Sequence, residues 1–154
     1  TNRDATPAVI NNSQGGRVRR AWGTVEAAAA GDAGSTYRMC EIPSNARAIR
    51  VVLACDDLGT TATLDVGIYQ NTANGGAVVD ADFFASAVNA HSAAVAETMV
   101  SHESGAYNID DIEKPLWEAL GLSADSNRTY DVVVTSAGDI DAAGTISVVV
   151  DYVV

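Results

Sequence analysis

The sequence predicts an all-β protein: an antiparallel β-sandwich, jelly-roll-like, with one or two short helices. Three observations predict it. Residues 145–154 alternate, with Ile146, Val148, Val150, Tyr152 and Val154 on one side and Thr145, Ser147, Val149, Asp151 and Val153 on the other. A side-chain period of two marks a strand with one buried face, and a chain ending inside such a strand is expected to be tied into a sheet there. Comparable runs recur upstream, separated by segments rich in Gly, Asn and Asp, the usual turn residues. No repeat of fixed period occurs, which argues against a solenoid or propeller and makes a sandwich or jelly roll the expected assembly.

The elements follow in order. Residues 1–16 are polar and aperiodic and end in Ser13-Gln14-Gly15-Gly16. With the basic run Arg17, Arg19 and Arg20 they read as an extended arm over residues 1–20, leaving 21–154 as a single sandwich domain. Residues 22–30 form a first strand, although the alanines at 27–30 would equally suit a helix. A turn at 31–34 leads to a strand at 35–42, stopped by Pro43-Ser44-Asn45. Residues 46–55 place Ile49, Val51, Leu53 and Cys55 on one side. After a turn at 56–59, residues 60–70 return with Leu64, Val66 and Ile68 inward and Thr63, Asp65 and Gly67 outward. The spacing predicts that these two strands pair antiparallel.

Residues 71–76 turn the chain again, and 77–79 form a short strand. Residues 82–91 read as a short helix capped by Asp80 or Asp82 and burying Phe83, Phe84 and Val88. A short strand at 97–100 precedes the best helix candidate, 110–120. Asp110 or Asp111 caps it, Gly121 closes it, and Pro115 moves its start towards Lys114. Leu116, Trp117 and Leu120 form its buried edge. Residues 128–135 are a strand of strong β-formers, and a loop at 136–144 leads to the last strand. The count is six or seven strands.

The chain has 154 residues, enough for one domain with a sizeable core. Its hydrophobic fraction is 47%, largely Ala and Val, with only 6% aromatic, which suits thin, closely packed sheets better than a deep aromatic pocket. The net charge of −11 is unevenly spread. Residues 1–50 carry seven Arg against four acids, whereas 51–154 carry only Lys114 and Arg128 against sixteen acids. Such asymmetry permits head-to-tail contact between copies, or docking of a basic arm on an acidic neighbour. It disfavours nucleic acid, because phosphate is repelled by most of this surface. No apolar run is long enough to cross a membrane as a helix. Residues 1–13 lack the apolar core of a signal peptide, so synthesis in the cytoplasm is expected and the sequons at Asn11 and Asn127 carry no meaning.

Chemistry-bearing constellations are sparse. His91 and His102, even with Glu97 and Glu103, lack metal-ligand spacing. The acidic pairs Asp56/Asp57, Asp80/Asp82, Asp110/Asp111 and Asp139/Asp141 fall in turns, where each has a capping role available. Asp139-Ile140-Asp141 has the D-x-D of a calcium loop without its remaining ligands. Cys40 and Cys55 lie in strands without a C-x-x-C, and read as buried free thiols, with a cross-strand disulfide the alternative in an oxidising compartment. There is no nucleophile elbow, Walker loop or G-x-G-x-x-G. The expectation is a non-enzymatic protein with no cofactor, no metal, no nucleic-acid partner and no membrane partner.

One resemblance adds to this. The stretch Ser35-Thr36-Tyr37-Arg38-Met39, then Ile42-Pro43-Ser44-Asn45-Ala46-Arg47 and the strand to Leu53, resembles small virion proteins of tailed bacteriophages. So do Ala62 to Tyr69 and the run from Gly75 to Ser86. The similarity covers about residues 20–90 and, more loosely, the C-terminal strands; no catalytic residue comes with it. It implies a capsid decoration or cement protein on the virion surface, a closed homotrimer, bound to the major capsid protein in many copies. The arm would clamp a neighbour by strand addition, with Arg17, Arg19 and Arg20 pairing with acidic capsid surface. A head–tail or tail component is the alternative within virions. A carbohydrate-binding sandwich is the alternative of another class; it calls for exposed coplanar aromatics, for which Trp22, Trp117, Tyr37 and Tyr107 are few and scattered.

Overall fold

The computed structural model describes residues 16–102 and 104–154. Eight strands build it: β1 (Val18–Ala27), β2 (Thr36–Pro43), β3 (Arg47–Cys55), β4 (Thr63–Gln70), β5 (Val78–Asn89), β6 (Val95–Met99), β7 (Thr129–Ser136) and β8 (Gly144–Val153). One short helix, α1 (Leu116–Ala119), and two single 3₁₀ turns complete it. The strands form two four-stranded sheets, ordered β1-β8-β3-β6 and β2-β7-β4-β5, with every pairing antiparallel. Four pairings nest inside one another: β1 with β8, β2 with β7, β3 with β6 and β4 with β5. The chain is one long hairpin turning between β4 and β5, rolled up until β8 meets β3 and β7 meets β4. That is a jelly roll, the class the strand pattern predicts.

The core lies between the sheets. Ile146, Val148 and Val150 of β8 and Ile49, Val51 and Leu53 of β3 face Leu64, Val66 and Ile68 of β4 and Val132 and Val134 of β7, all buried. At one corner the backbone of β1 presses on β2, and a Cβ at Gly23 would fall onto the Met39 carbonyl. The other side is sealed by the long segment between β6 and β7. Val100 N–H donates to Val51 O, and the Ser101 hydroxyl accepts from Val51 N–H at 2.7 Å. Tyr107 is buried 5.6 Å from the Phe83 ring and 5.5 Å from the Phe84 ring, and its hydroxyl accepts from Ile49 N–H.

Several expectations are corrected. The segment predicted as a helix over 82–91 belongs to β5, which also absorbs the short strand at 77–79. Its register with β4 passes from Val66↔Ala85 to Ile68↔Asp80, so β5 bulges between Asp80 and Ala85. Phe83, Phe84 and Ala85 are consecutively buried there, which erases the period of two. The strands at 46–55 and 60–70 do not pair: β3 and β4 lie in opposite sheets, and residues 56–62 carry the chain across. The predicted helix over 110–120 is a 3₁₀ turn, Ile109–Asp111, followed by α1, with extended Pro115 between them. Residues 28–30 leave β1, with Ala30 at φ 66° in the turn.

Candidate functional site

One surface brings Arg20 together with charged residues distant from it in the sequence. On the outer face of the β1-β8-β3-β6 sheet, side chains line up in rows because facing strands share register. The central row is apolar and crosses all four strands: Trp22 pairs with Val149, Val149 with Val52, and Val52 with Met99. Trp22 is 68% exposed and Met99 56%.

Towards one end of the strands the next row is Arg20, Asp151 and Arg50. Arg20 grips Asp151 with Nε at 2.6 Å and Nη2 at 2.9 Å, a two-point charge-assisted pair. That hydrogen bond, helped by the positive charges of Arg20 and Arg50, holds the Asp151 carboxyl below its usual range. Beyond it lie Val18, Val153 and Arg47. Arg47 and Arg50 are three apart, which in a regular strand would put them on opposite faces. A bulge between them, where Ala48 sits at φ 48°, brings both outward.

Towards the other end the chemistry reverses. Thr24, Ser147 and Ala54 come first, with the two hydroxyls 3.0 Å apart. Next are Glu26, Thr145 and Asp56. The Thr145 hydroxyl donates to Glu26 at 2.9 Å, and its backbone N–H donates to Asp56 at 2.8 Å. Glu97 of β6 adds its charge, which reaches Arg20 across the face.

The three arginines predicted as partner contacts therefore have different settings. Arg20 is part of β1 and tied to Asp151. Arg19 is also in β1, opposite Tyr152, and Arg17 precedes the strand. Both are exposed and, among the described residues, neither makes an ion pair. Residues 1–15 of the expected arm lie outside the described residues. Sequence reasoning missed Arg47 and Arg50 as members of this cluster.

The outer face of the β2-β7-β4-β5 sheet is closed by its own chain. Arg38 lies across it, pairing with Asp131 and donating to Gln70 O at 2.9 Å and Gly76 O at 2.7 Å, with its guanidinium 5.7 Å from the Tyr69 ring centre. The β5 bulge covers Gly67, where a Cβ would fall onto the Ala81 carbonyl. Asp131, Val133 and Tyr69 are buried beneath.

The remaining candidates serve structure. Asp57 accepts from Gly59 N–H, Asp80 from Asp82 N–H, Asp139 from Ala33 N–H, and Asp141 from the backbone and hydroxyl of Thr60. Asp111 accepts from Asn108 N–H and Lys114. His102 stacks on Tyr107 at 5.1 Å, His91 sits beside Ser92, and Glu103 lies outside the described residues. Among the described residues no three His, Cys, Asp or Glu side chains are grouped to hold a metal ion. Cys40 and Cys55 lie in opposite sheets, both free. Burial, with the Asp131 charge, pushes the Cys40 thiol up to about 12, and burial raises Cys55 as well, so neither is an activated thiolate. Of the four aromatics a glycan platform would need, Tyr107 is buried, Tyr37 and Trp117 are half-buried and only Trp22 is exposed.

No family model matches the chain, and no curated protein matches it. Among solved structures it is similar to a chain of the cyanophage Pam1 capsid asymmetric unit, with a TM-score of 0.55 and 21% sequence identity. The match covers 96% of this chain and 91% of that one. At this identity the likeness shows a shared fold.

Proposed function

We propose that the chain is a non-enzymatic structural protein of a bacteriophage virion, and within it a capsid decoration or cement protein, made in the host cytoplasm and bound in many copies to the major capsid protein on the outer head. The observation that carries this reading is the fold likeness, over 96% of the chain, to a chain of a cyanophage capsid. The residues agree with it. A cement protein needs a rigid body and a surface for neighbours, and this jelly roll has a tightly filled core and one outer sheet face open to solvent. Arg17 and Arg19 are exposed at the start of β1, where they would meet acidic capsid surface together with the segment before them. A closed trimer is the arrangement the resemblance implies; a different copy-to-copy contact, with a surface behind it, is argued below.

The test is cosedimentation of the purified protein with empty phage heads, with copy number from gel densitometry. Hundreds of copies at saturation support decoration, about a dozen or fewer point to a head–tail or tail component, and no binding removes the virion reading. Because β1 begins at Val18, the arm is tested by deleting residues 1–15 rather than 1–20. The truncated protein is expected to keep its melting temperature and bind heads more weakly; unchanged occupancy would take the arm out of the account.

A further inference from the structure

We infer that the open face of the β1-β8-β3-β6 sheet binds the same face of a second copy, with a two-fold axis running along the apolar row Trp22–Val149–Val52–Met99. The face carries its own complement. On one side of the row are Arg20, Arg47 and Arg50, three of the chain's nine bases. Asp151 is the single acid among them, and Arg20 already neutralises it. On the other side are Glu26, Asp56 and Glu97, with hydroxyls between them and no base in those rows. The two zones are equally spaced from the row, about 7 Å per row of outward residues.

Only some face-to-face arrangements are closed, and charge chooses between them. A two-fold axis parallel to the strands lays Trp22 over Met99 of the second copy, but stacks the arginine zone on itself. An axis along the row lays Trp22 over Trp22 and turns the second copy end for end. Arg47 then faces the Asp56 row, Arg50 lies near Glu97, and Arg20 comes within a row of Glu26. Apolar area is covered at the centre and opposite charges meet at both rims, the layout of a specific interface. Three strands by five rows, with β6 reaching only from the central row towards the acidic end, make a patch on the order of 450 Å² per copy. The total of about 900 Å² is slightly below the usual range for a specific contact, so a weak dimer, micromolar or looser, is expected. The inference concerns the free protein, in which a second copy covers the face that the virion reading offers to capsid neighbours.

Sedimentation of the intact chain tests it directly. The expected result is a reversible monomer–dimer equilibrium that weakens at least tenfold from 0.05 to 0.5 M salt. A monomer at every concentration up to about 1 mM, or a trimer, overturns it. Two charge-reversed chains then address the face: Arg47→Glu with Arg50→Glu, and Glu26→Lys with Glu97→Lys. Each alone is expected to be monomeric, with an unchanged circular dichroism spectrum, while the equimolar mixture forms a heterodimer. Dimers that survive in either variant alone would assign the contact to another surface. Should a variant misfold, Thr24→Lys, which adds charge to the hydroxyl row without removing an ion pair, gives the same reading by weakening the dimer.

Discussion

The two outer sheet faces of this sandwich are built from similar residues and finished in opposite ways. Each carries an arginine paired with an aspartate across neighbouring strands, Arg38 with Asp131 on one and Arg20 with Asp151 on the other. On the β2-β7-β4-β5 face the arginine lies flat over Tyr69 and two backbone carbonyls, and the β5 bulge folds down over Gly67, so the aspartate and Val133 are buried. On the β1-β8-β3-β6 face the arginine stands 62% exposed and nothing in the described chain covers Trp22 or Met99. The difference separates two uses of one motif. The covered pair holds the fold together, whereas the open pair leaves a charged rim beside an apolar row. Substitutions on the first face should therefore be read in stability, and on the second in association.

The largest effect is expected at Gly67. An added methyl meets the backbone of Ala81 and Asp80, which cannot move aside without lifting the β5 bulge from the sheet. Gly67→Ala should cost about 3 kcal/mol or more, the upper range for overpacking, and lower the melting temperature by roughly 6–12 °C. A melting temperature within 2 °C of the parent (on the order of 1 kcal/mol or less) would mean that the bulge does not seal this face. Arg38→Ala comes next. It leaves Asp131 buried without its partner and strips donors from Gln70 and Gly76, for a loss of about 2–3 kcal/mol after allowing for the partial exposure of the arginine. Chemical denaturation would measure it, and a double cycle with Asp131→Asn should recover part of the loss, because the uncompensated charge goes with it.

The same contrast explains what could be read from the residues alone. Strands β3 and β8 were legible because one face of each is core, and burial imposes the period of two, whereas β7, buried on both faces, was legible through its run of β-formers. β5 was not: its bulge buries Phe83, Phe84 and Ala85 in succession, and two adjacent phenylalanines after Asp80 and Asp82 look like a capped helix. The β3–β4 pairing failed for a different reason. Consecutive strands in a hairpin-like spacing usually pair, but rolling the long hairpin sends them to opposite sheets, a non-local outcome no local pattern encodes. Of the open face, Arg20 was legible as part of a basic run, although Arg17 and Arg19 of that run have the opposite strand parity and do not share the face. Arg47 and Arg50 needed the bulge at Ala48, and the row from Trp22 to Met99 exists only through the registers of four strands spread along the chain.

The open pair has a smaller effect on stability, with a pH signature. Arg20 depresses the Asp151 carboxyl in the folded protein, so the pair stabilises fully above the ordinary carboxylate value of about 3.9 and is lost as pH falls through the lower folded value. Asp111, Asp125 and Asp141, also depressed by hydrogen bonds, act with the same sign. Arg20→Ala should barely change the melting temperature at pH 7, since exposed pairs contribute little. It should flatten the fall in stability as pH drops below about 4. A melting temperature whose acid dependence is identical with and without Arg20 would mean that the pair is not formed in solution.

The smallest stability effect is expected at Trp22, and it is the sharpest test of the comparison. Its side chain is mostly in solvent on an edge strand, so Trp22→Ser removes little buried area and should shift unfolding by no more than about 0.5 kcal/mol. Aromatic side chains at the centre of an interface are nevertheless the ones whose loss costs most on association. An exposed tryptophan at the end of an apolar row running through Val149 and Val52 to Met99 is the kind of contiguous patch that marks an interaction site. The substitution should thus separate two quantities that move together on the other face: the melting temperature stays while self-association, measured by sedimentation, falls at least tenfold. If the melting temperature falls instead, Trp22 belongs to the packing of β1 on β8, and the two faces differ in degree only.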